Sequence, residues 1–431
     1  MLKIFLFFIM CLQVLLYPLR FFLPKRRAFE LGNKKERGHK SFTDIEAKIC
    51  FEISSEGELE QIRPLLIEML NAGEFVELVY CSDSVTHQCL ALYDMYPEHL
   101  RLFRMPLLTY LPWSKERSLR QWKTAKTVAL CRYDFFPELI WRGEGERKIL
   151  FWGSLKSFAR KSFIEKLFLK LVYQDFDLIF AATSSDKKLF HKWLGVDKVF
   201  EQDFRPIQIL KRIEERETKI KKIFRHQKMA LSFFQGLDRN EVDILGSYWP
   251  VDFPILKSYK KEEKKIVFIA PHKLEASLIE ELATEFKGIV ITKDSSEEFT
   301  QILERQNQET VFVIMNIKGF LCELYSYAGH AYVSGGFGRS VHSLLEPVLS
   351  GSLVVCGPRT HRSTEYDLIK ENIPHHLKIA STPEEVLSLL GSLSPEPQNL
   401  LTWKEKIVIM NQNNSEIFYR FLERMDAKAS L

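Results

Sequence analysis

Short β-prone runs alternate with helical stretches along most of this chain, and that alternation restricts the fold more than any other feature. In 48–54, Ile49, Phe51 and Ile53 take alternate positions, a helical pattern follows over 59–71, and 74–81 is a second strand-like run. Residues 127–131, 148–152 and 178–181 continue the series. A highly charged stretch over 203–225 interrupts it. A second series then runs through 242–245, 266–270, 288–292, 311–315, 330–333 and 353–356, with helical patterns at 275–286 and 298–306 between them. Strands separated by helices imply mostly parallel sheets covered on both faces. The expected fold class is therefore α/β, two Rossmann-like doubly wound domains facing across a cleft. Their expected bounds are 47–205 and 226–400, with a charged linker at 206–225 and terminal helices over 401–431.

The formal charge of +5 on 431 residues sits almost wholly at one end. The segment 25–40 holds seven basic residues against Glu30 and Glu36, whereas 41–431 holds 52 Lys and Arg against 54 Asp and Glu. A broad nucleic-acid surface does not fit that distribution. Hydrophobic residues at 46% allow a packed core. The seven cysteines are widely spaced and include no Cys-x-x-Cys, which suits a reducing compartment and argues against a zinc site or disulfide framework.

Residues 4–19 are almost entirely apolar, broken by Gln13 and Pro18, and Phe21, Phe22 and Leu23 extend the run past Arg20. A full membrane span needs about 20 such residues. Pro24-Lys25-Arg26-Arg27 follows in place of a small-residue cleavage site, so an uncleaved anchor helix over 1–23 and a basic linker over 24–46 are expected, a buried helix of the body being the other reading. The cluster outweighs Lys3 on the other side, which places the body in the cytoplasm and the basic residues on anionic headgroups.

Four constellations can carry chemistry. Val333-Ser334-Gly335-Gly336-Phe337-Gly338 leaves a strand, and Arg339 to Pro347 enters a helix holding His342 and Glu346 four residues apart. Glycines let backbone N–H groups approach a phosphate, and Glu346 can accept from a ribose diol. The sequence matches neither the Walker loop nor the dinucleotide fingerprint, and a glycine turn into an ordinary helix is the other reading. Ser54-Ser55-Glu56-Gly57-Glu58 follows the first strand, where Glu58 can serve as a general base or close a helix cap. Arg132 and Asp134 lie just past another strand, as a site pair or a surface ion pair. Pro271-His272-Lys273 ends a strand in the second half, where His272 can face a phosphate or serve structure alone.

In this order, these motifs resemble the Kdo (3-deoxy-D-manno-octulosonic acid) transferases of lipid A biosynthesis. The segments Arg132 to Glu138 and Ser334 to Glu346 are similar to the chlamydial form, and the resemblance extends over roughly residues 2–380. It implies a GT-B fold and inverting transfer of Kdo from CMP-Kdo to a lipid A precursor (lipid IVA) at the inner membrane. It implies several Kdo residues added in series, with no metal or cofactor. It further implies Glu58 as general base, Asp134 near the reacting centre and Arg205 steadying the departing phosphate. Pro271, His272, Lys318, Gly319, Phe320, Gly335, Gly336, His342, Ser343, Leu344, Leu345 and Glu346 match donor-binding segments. The chain departs from the family where Ser340-Val341-His342-Ser343 replaces Gly-Gly-His-Asn, where Phe320 replaces an acidic residue and where Arg132-Tyr133-Asp134 replaces Glu-Thr-Glu. The mixed apolar and basic stretch 100–126, which contains Arg101 and Arg104, suits a phosphorylated lipid acceptor or, equally, buried aromatics with solvated charges. A membrane-associated GT-B enzyme using a UDP-sugar, or a non-catalytic nucleotide-sugar or lipid binder, also fits these residues.

Overall fold

A computed structural model describes all residues except 17, 19–21, 36–44, 106–118, 133–134, 142, 144, 156–157, 159–160, 196–197, 362, 393–396 and 430–431. The chain forms two compact units, Met1–Arg205 with Met410–Leu431, and Pro206–Ile409.

The first unit is built on seven parallel strands: β1 (Ile49–Ile53), β2 (Val76–Tyr80), β3 (Leu100–Arg104), β4 (Thr127–Cys131), β5 (Arg147–Gly153), β6 (Leu178–Ala181) and β7 (Val199–Glu201). Their order is β3-β2-β1-β4-β5-β6-β7, so the direction of winding reverses between β1 and β4. β1, β2 and β4 are buried along their whole length, as a sheet covered on both faces requires. Alternate residues feed two cores. Phe51, Phe151, Phe180, Phe204 and Phe418 pack on one face, while Cys50, Leu130, Leu150 and Ile179 face the other. Local chemistry sets the helix starts. Ser162 and Glu165 form a reciprocal capping box on Phe163–Gln174, and the Thr183 hydroxyl caps Ser184–Leu194.

The apolar N-terminus forms the helix Leu2–Leu16, which packs on Pro137–Ile140 and Phe163–Gln174. Leu6 and Met10 are buried there, while Phe8 and Leu15 stay 66% and 76% exposed. At 15 residues it is about 22 Å long, short of a bilayer's roughly 30 Å core. Among the described residues no helix is long and apolar enough to cross a membrane, and residues 17 and 19–21 of the anchor expected over 1–23 lie outside them.

Within 24–46, Pro24–Lys35 is helical and docks against the edge strand β3. The Asn33 side chain exchanges two 2.8 Å hydrogen bonds with the Arg104 backbone. Arg101, expected on a lipid-facing surface, is 2% exposed on β3 and lies 3.7 Å from the fully buried Glu77 of β2. An unpaired charge there would be very costly to bury, so Arg101 serves the sheet. Lys115 and Arg117 of the same stretch lie outside the described residues.

The second unit repeats the plan with β8 (Val242–Tyr248), β9 (Ile266–Pro271), β10 (Ile289–Ile291), β11 (Val311–Met315), β12 (His330–Val333), β13 (Leu353–Cys356) and β14 (Leu377–Ile379). The parallel order is β10-β11-β9-β8-β12-β13-β14, with the reversal between β8 and β12. The charged stretch 206–225 is largely helical, and Ile209, Leu210 and Ile220 bury its apolar side.

Candidate functional site

Ligand sites of doubly wound sheets lie beyond the carboxyl ends of the strands, where the winding reverses. In the second unit that place holds the end of β8, the end of β9 and the loop after β12. A register shift near the end of β8 and a positive φ of 54° at Ser247 turn the chain outward there. Trp249 follows immediately. Its indole Nε1 donates to Nε2 of His342 at 3.0 Å. His272, after β9, stacks against both rings, 4.8 Å from Trp249 and 4.4 Å from His342.

Asp252 anchors this group. Its fully buried carboxylate accepts from the Tyr332 hydroxyl at 2.7 Å, from the Ser334 hydroxyl and from the Trp249 backbone N–H at 3.1 Å. Burial pushes the Asp252 carboxyl up, against three hydrogen bonds that favour its charged form. Burial pushes the His342 ring down to about 4, aided by the neighbouring His272. Burial and Lys273 also lower His272. Both imidazoles are neutral at pH 7.

The glycine loop is held by backbone proximity. Gly335 has φ +92°, and a Cβ there would meet the Ser340 carbonyl oxygen at 2.3 Å. A Cβ on Gly336 would lie 2.6 Å from the Gly357 backbone in the loop after β13. Glycine is required at both positions, for conformation at the first and close approach at the second. The loop thus brings His342 to His272 and ends on Ser343.

The helix that follows differs from expectation. The backbone N–H groups of Leu344 and Leu345 and the Ser343 hydroxyl all donate to Oε2 of Glu365, at 2.7, 3.1 and 3.1 Å. An internal carboxylate thus uses the donors that the sequence assigns to a ligand. Glu365 lies some 20 residues downstream, and its local sequence gives no sign of this role. Glu346, read as a diol acceptor, sits 3.5 Å from Arg212 of the helix Arg205–Glu214, which also forms a two-pronged pair with Glu323 at 3.0 Å. Burial alone would lower the Arg212 guanidinium; the Glu323 hydrogen bonds and Glu346 hold it above its ordinary value. Phe320 is 1% exposed and packs on Phe224 and Phe234, so its side chain is core, not a donor contact. Lys318 and Gly319 are exposed past the end of β11.

In the first unit, Glu58 lies just after β1, beside the reversal between β1 and β4. Its Oε2 accepts from the Ser54 backbone N–H at 2.6 Å, and the Ser55 hydroxyl caps the Glu58 N–H at 3.4 Å. The cap geometry is therefore present, with the carboxylate at the carboxyl end of the sheet. Glu52, missed in the sequence, is fully buried on β1, and its Oε1 accepts from Ser54 Oγ and Cys81 Sγ, both at 3.2 Å. A glutamate inside an apolar strand was the available signal. One turn beyond Glu58, Gln61 donates to Asp203 at 2.5 Å, and Asp203 pairs with Arg205 through Nε and Nη2. The guanidiniums of Arg205 and Arg132 lie 4.1 and 3.8 Å from the Trp152 ring centroid. Arg132 and Trp152 both adopt positive φ, 59° and 56°, a strained state for such side chains. Gln61, on the same helix as Glu58, thus ties that helix to Arg205 through Asp203. Asp134 lies outside the described residues. Among the described residues no group of three His, Cys, Asp or Glu side chains is placed to hold a metal.

No family model matches the chain. Over 360 residues it is 26% identical to the 3-deoxy-D-manno-octulosonic acid transferase of Aquifex aeolicus, covering 82% of this chain and 88% of that protein. In fold it resembles UGT73P12 of Glycyrrhiza uralensis complexed with glycyrrhetinic acid 3-O-monoglucuronide, with a TM-score of 0.54 at 8% identity over 89% of this chain and 96% of that one. UGT89C1 of Arabidopsis thaliana complexed with UDP-L-rhamnose gives 0.52 at 13% identity, over 88% and 98%. These likenesses establish two parallel-sheet α/β units of GT-B type. By sequence the chain is similar to a bacterial Kdo transferase, and in fold to the two plant structures above.

Proposed function

We propose that this chain transfers Kdo from CMP-Kdo to a lipid A precursor, lipid IVA, with inversion and several additions in series. The observation that carries this reading is the 26% identity to the Aquifex aeolicus transferase over 82% of the chain. In this reading Glu58 deprotonates the acceptor hydroxyl, and Asp134 belongs to the same reacting centre. Arg205, fixed by Asp203 over Trp152, supplies positive charge to the departing nucleotide. The donor's nucleotide meets the carboxyl edge of the second sheet, at Pro271, His272, Gly335, Gly336 and His342, with Lys318, Gly319 and Glu346 nearby. No metal or organic cofactor takes part.

The acceptor is a lipid, and two features support work at a membrane. The helix Leu2–Leu16 exposes Ile4, Phe7, Phe8, Leu12 and Leu15, and the basic helix Pro24–Lys35 comes soon after. An apolar face with basic residues near it binds the headgroup boundary of anionic bilayers. In this reading the body sits on the cytoplasmic side of the inner membrane.

A donor competition assay tests the proposal. Transfer with CMP-Kdo, inhibited by CMP and indifferent to UDP, is expected. The fold likeness to UGT89C1 bound to UDP-L-rhamnose favours a second reading, a UDP-sugar donor. Turnover of a UDP-sugar in place of CMP-Kdo supports that reading and removes the first.

A further inference from the structure

The ring group beyond β8 contains a constraint on protonation. Trp249 and His342 lie almost in one plane, 7° apart with centroids separated by 6.4 Å. The 3.0 Å bond from Trp249 Nε1 to His342 Nε2 joins them edge to edge. An indole nitrogen is a donor only. The His342 Nε2 in this bond is therefore an acceptor and carries no hydrogen. A neutral imidazole with a bare Nε2 has its hydrogen on Nδ1.

We propose that Trp249 is a positioning residue that locks His342 in its uncharged, Nδ1–H form, so that His342 offers the bound nucleotide a hydrogen bond without a transferable charge. The identity of the nucleotide rests on the donor reading above; the lock is a property of the free protein.

Both halves of the lock are fixed to one frame. Asp252 accepts the Trp249 backbone N–H and the Ser334 hydroxyl. The Ser334 carbonyl in turn accepts the His342 backbone N–H at 3.1 Å. Gly335 leaves the room that the imidazole fills, since a Cβ there would lie 3.0 Å from His342 Cδ2. Protonating His342 at Nε2 would set two N–H groups against each other at hydrogen-bond distance. The face of His342 is covered by His272 at 4.4 Å, so two cationic rings in contact are also disfavoured. The charged groups on the surrounding elements are Lys273 beside His272, 3.9 Å from Glu275, Arg339 and Arg359 of the two loops, and the Asp252 carboxylate. Burial and His272 oppose protonation, and Asp252 already accepts three donors. The lowering of His342 to about 4 agrees with this geometry.

The tautomer measurement needs no donor. The full chain labelled with ¹⁵N-histidine is titrated, and long-range ¹H–¹⁵N spectra read each ring nitrogen. Expected is a single Nδ1–H form for His342 that persists below pH 5. Trp249→Phe keeps an aromatic ring and removes the N–H. In that variant mixed tautomers are expected, with a midpoint about one pH unit or more higher, toward the ordinary value near 6.5. The acid limb of kcat/KM for CMP-Kdo is expected to rise by the same amount. Titration of wild-type His342 near 6.5 would overturn the proposal, even if the variant fails to fold. An unchanged tautomer and midpoint in Trp249→Phe would overturn it too. A lock seen by NMR in a protein that turns over no CMP-Kdo would remove the donor reading and leave the lock standing.

Discussion

Glu58 is held by its own helix. Its carboxylate accepts the Ser54 N–H at 2.6 Å, yet each carboxylate oxygen has a further lone pair with which to take a proton. Two substitutions separate capping from catalysis. Glu58→Gln retains an acceptor for the Ser54 N–H, so its melting temperature should stay near wild type while transfer falls by about 10²–10⁴. Glu58→Ala should lose the same activity and in addition about 1 kcal/mol of stability, read by denaturant titration. Equal activity in wild type and Glu58→Gln would remove the base assignment. Asp252 makes a different case, because removing it leaves three donors at the base of the ring group. Asp252→Ala should cost about 1–3 kcal/mol for each buried donor left unpaired, with His342 displaced. The two histidines add a pH dependence of known sign. Both pKa values are lower folded than unfolded, so the unfolded chain binds more protons in the acid range. Their contribution is complete above the unfolded value near 6.5 and is lost as pH falls below it, for His342 toward about 4. Melting curves across that window should show the second unit weakening toward acid, and a flat profile would contradict the neutral pair.

Among the elements, the strands written as apolar runs were readable from sequence because a parallel sheet buries both faces. β1, β4, β9 and β11 announce themselves in this way. The edge strands β3, β7 and β14 did not. β3 reads Leu-Arg-Leu-Phe-Arg, and its arginines suggest a surface until Glu77 is found opposite Arg101. The site divides similarly. The glycine loop, His272 and His342 were legible because strand ends followed by glycine or histidine mark the carboxyl edge. Trp249 and Glu365 were not, since their roles depend on partners 93 and some 20 residues away. The loop supplies an element-scale prediction. Gly336→Ala forces a Cβ to within 2.6 Å of Gly357, so the loop must shift away from the ring group. CMP affinity should fall at least about tenfold, measured by calorimetry, while Gly57→Ala, with open space at its Cβ, should leave it unchanged.

At the scale of the whole molecule, the basic excess of the sequence lies beside a helix docked on the first unit by Leu6 and Met10, with its other face bare. That bare apolar face beside basic residues carries the membrane reading proposed above. Removing residues 1–16 should weaken sedimentation with anionic vesicles, and high salt should weaken binding of the intact chain as it screens Lys25 and Arg27. Identical sedimentation of both forms would contradict the membrane reading. The account as a whole rests on donor and acceptor identity. The measurement that tests it most directly is mass spectrometry of lipid IVA after incubation with the full-length protein and CMP-Kdo. The account predicts lipid products heavier by one or more Kdo units, formed by wild type and absent with Glu58→Gln. Unmodified lipid in the presence of wild type, with a UDP-sugar transferred instead, would contradict it.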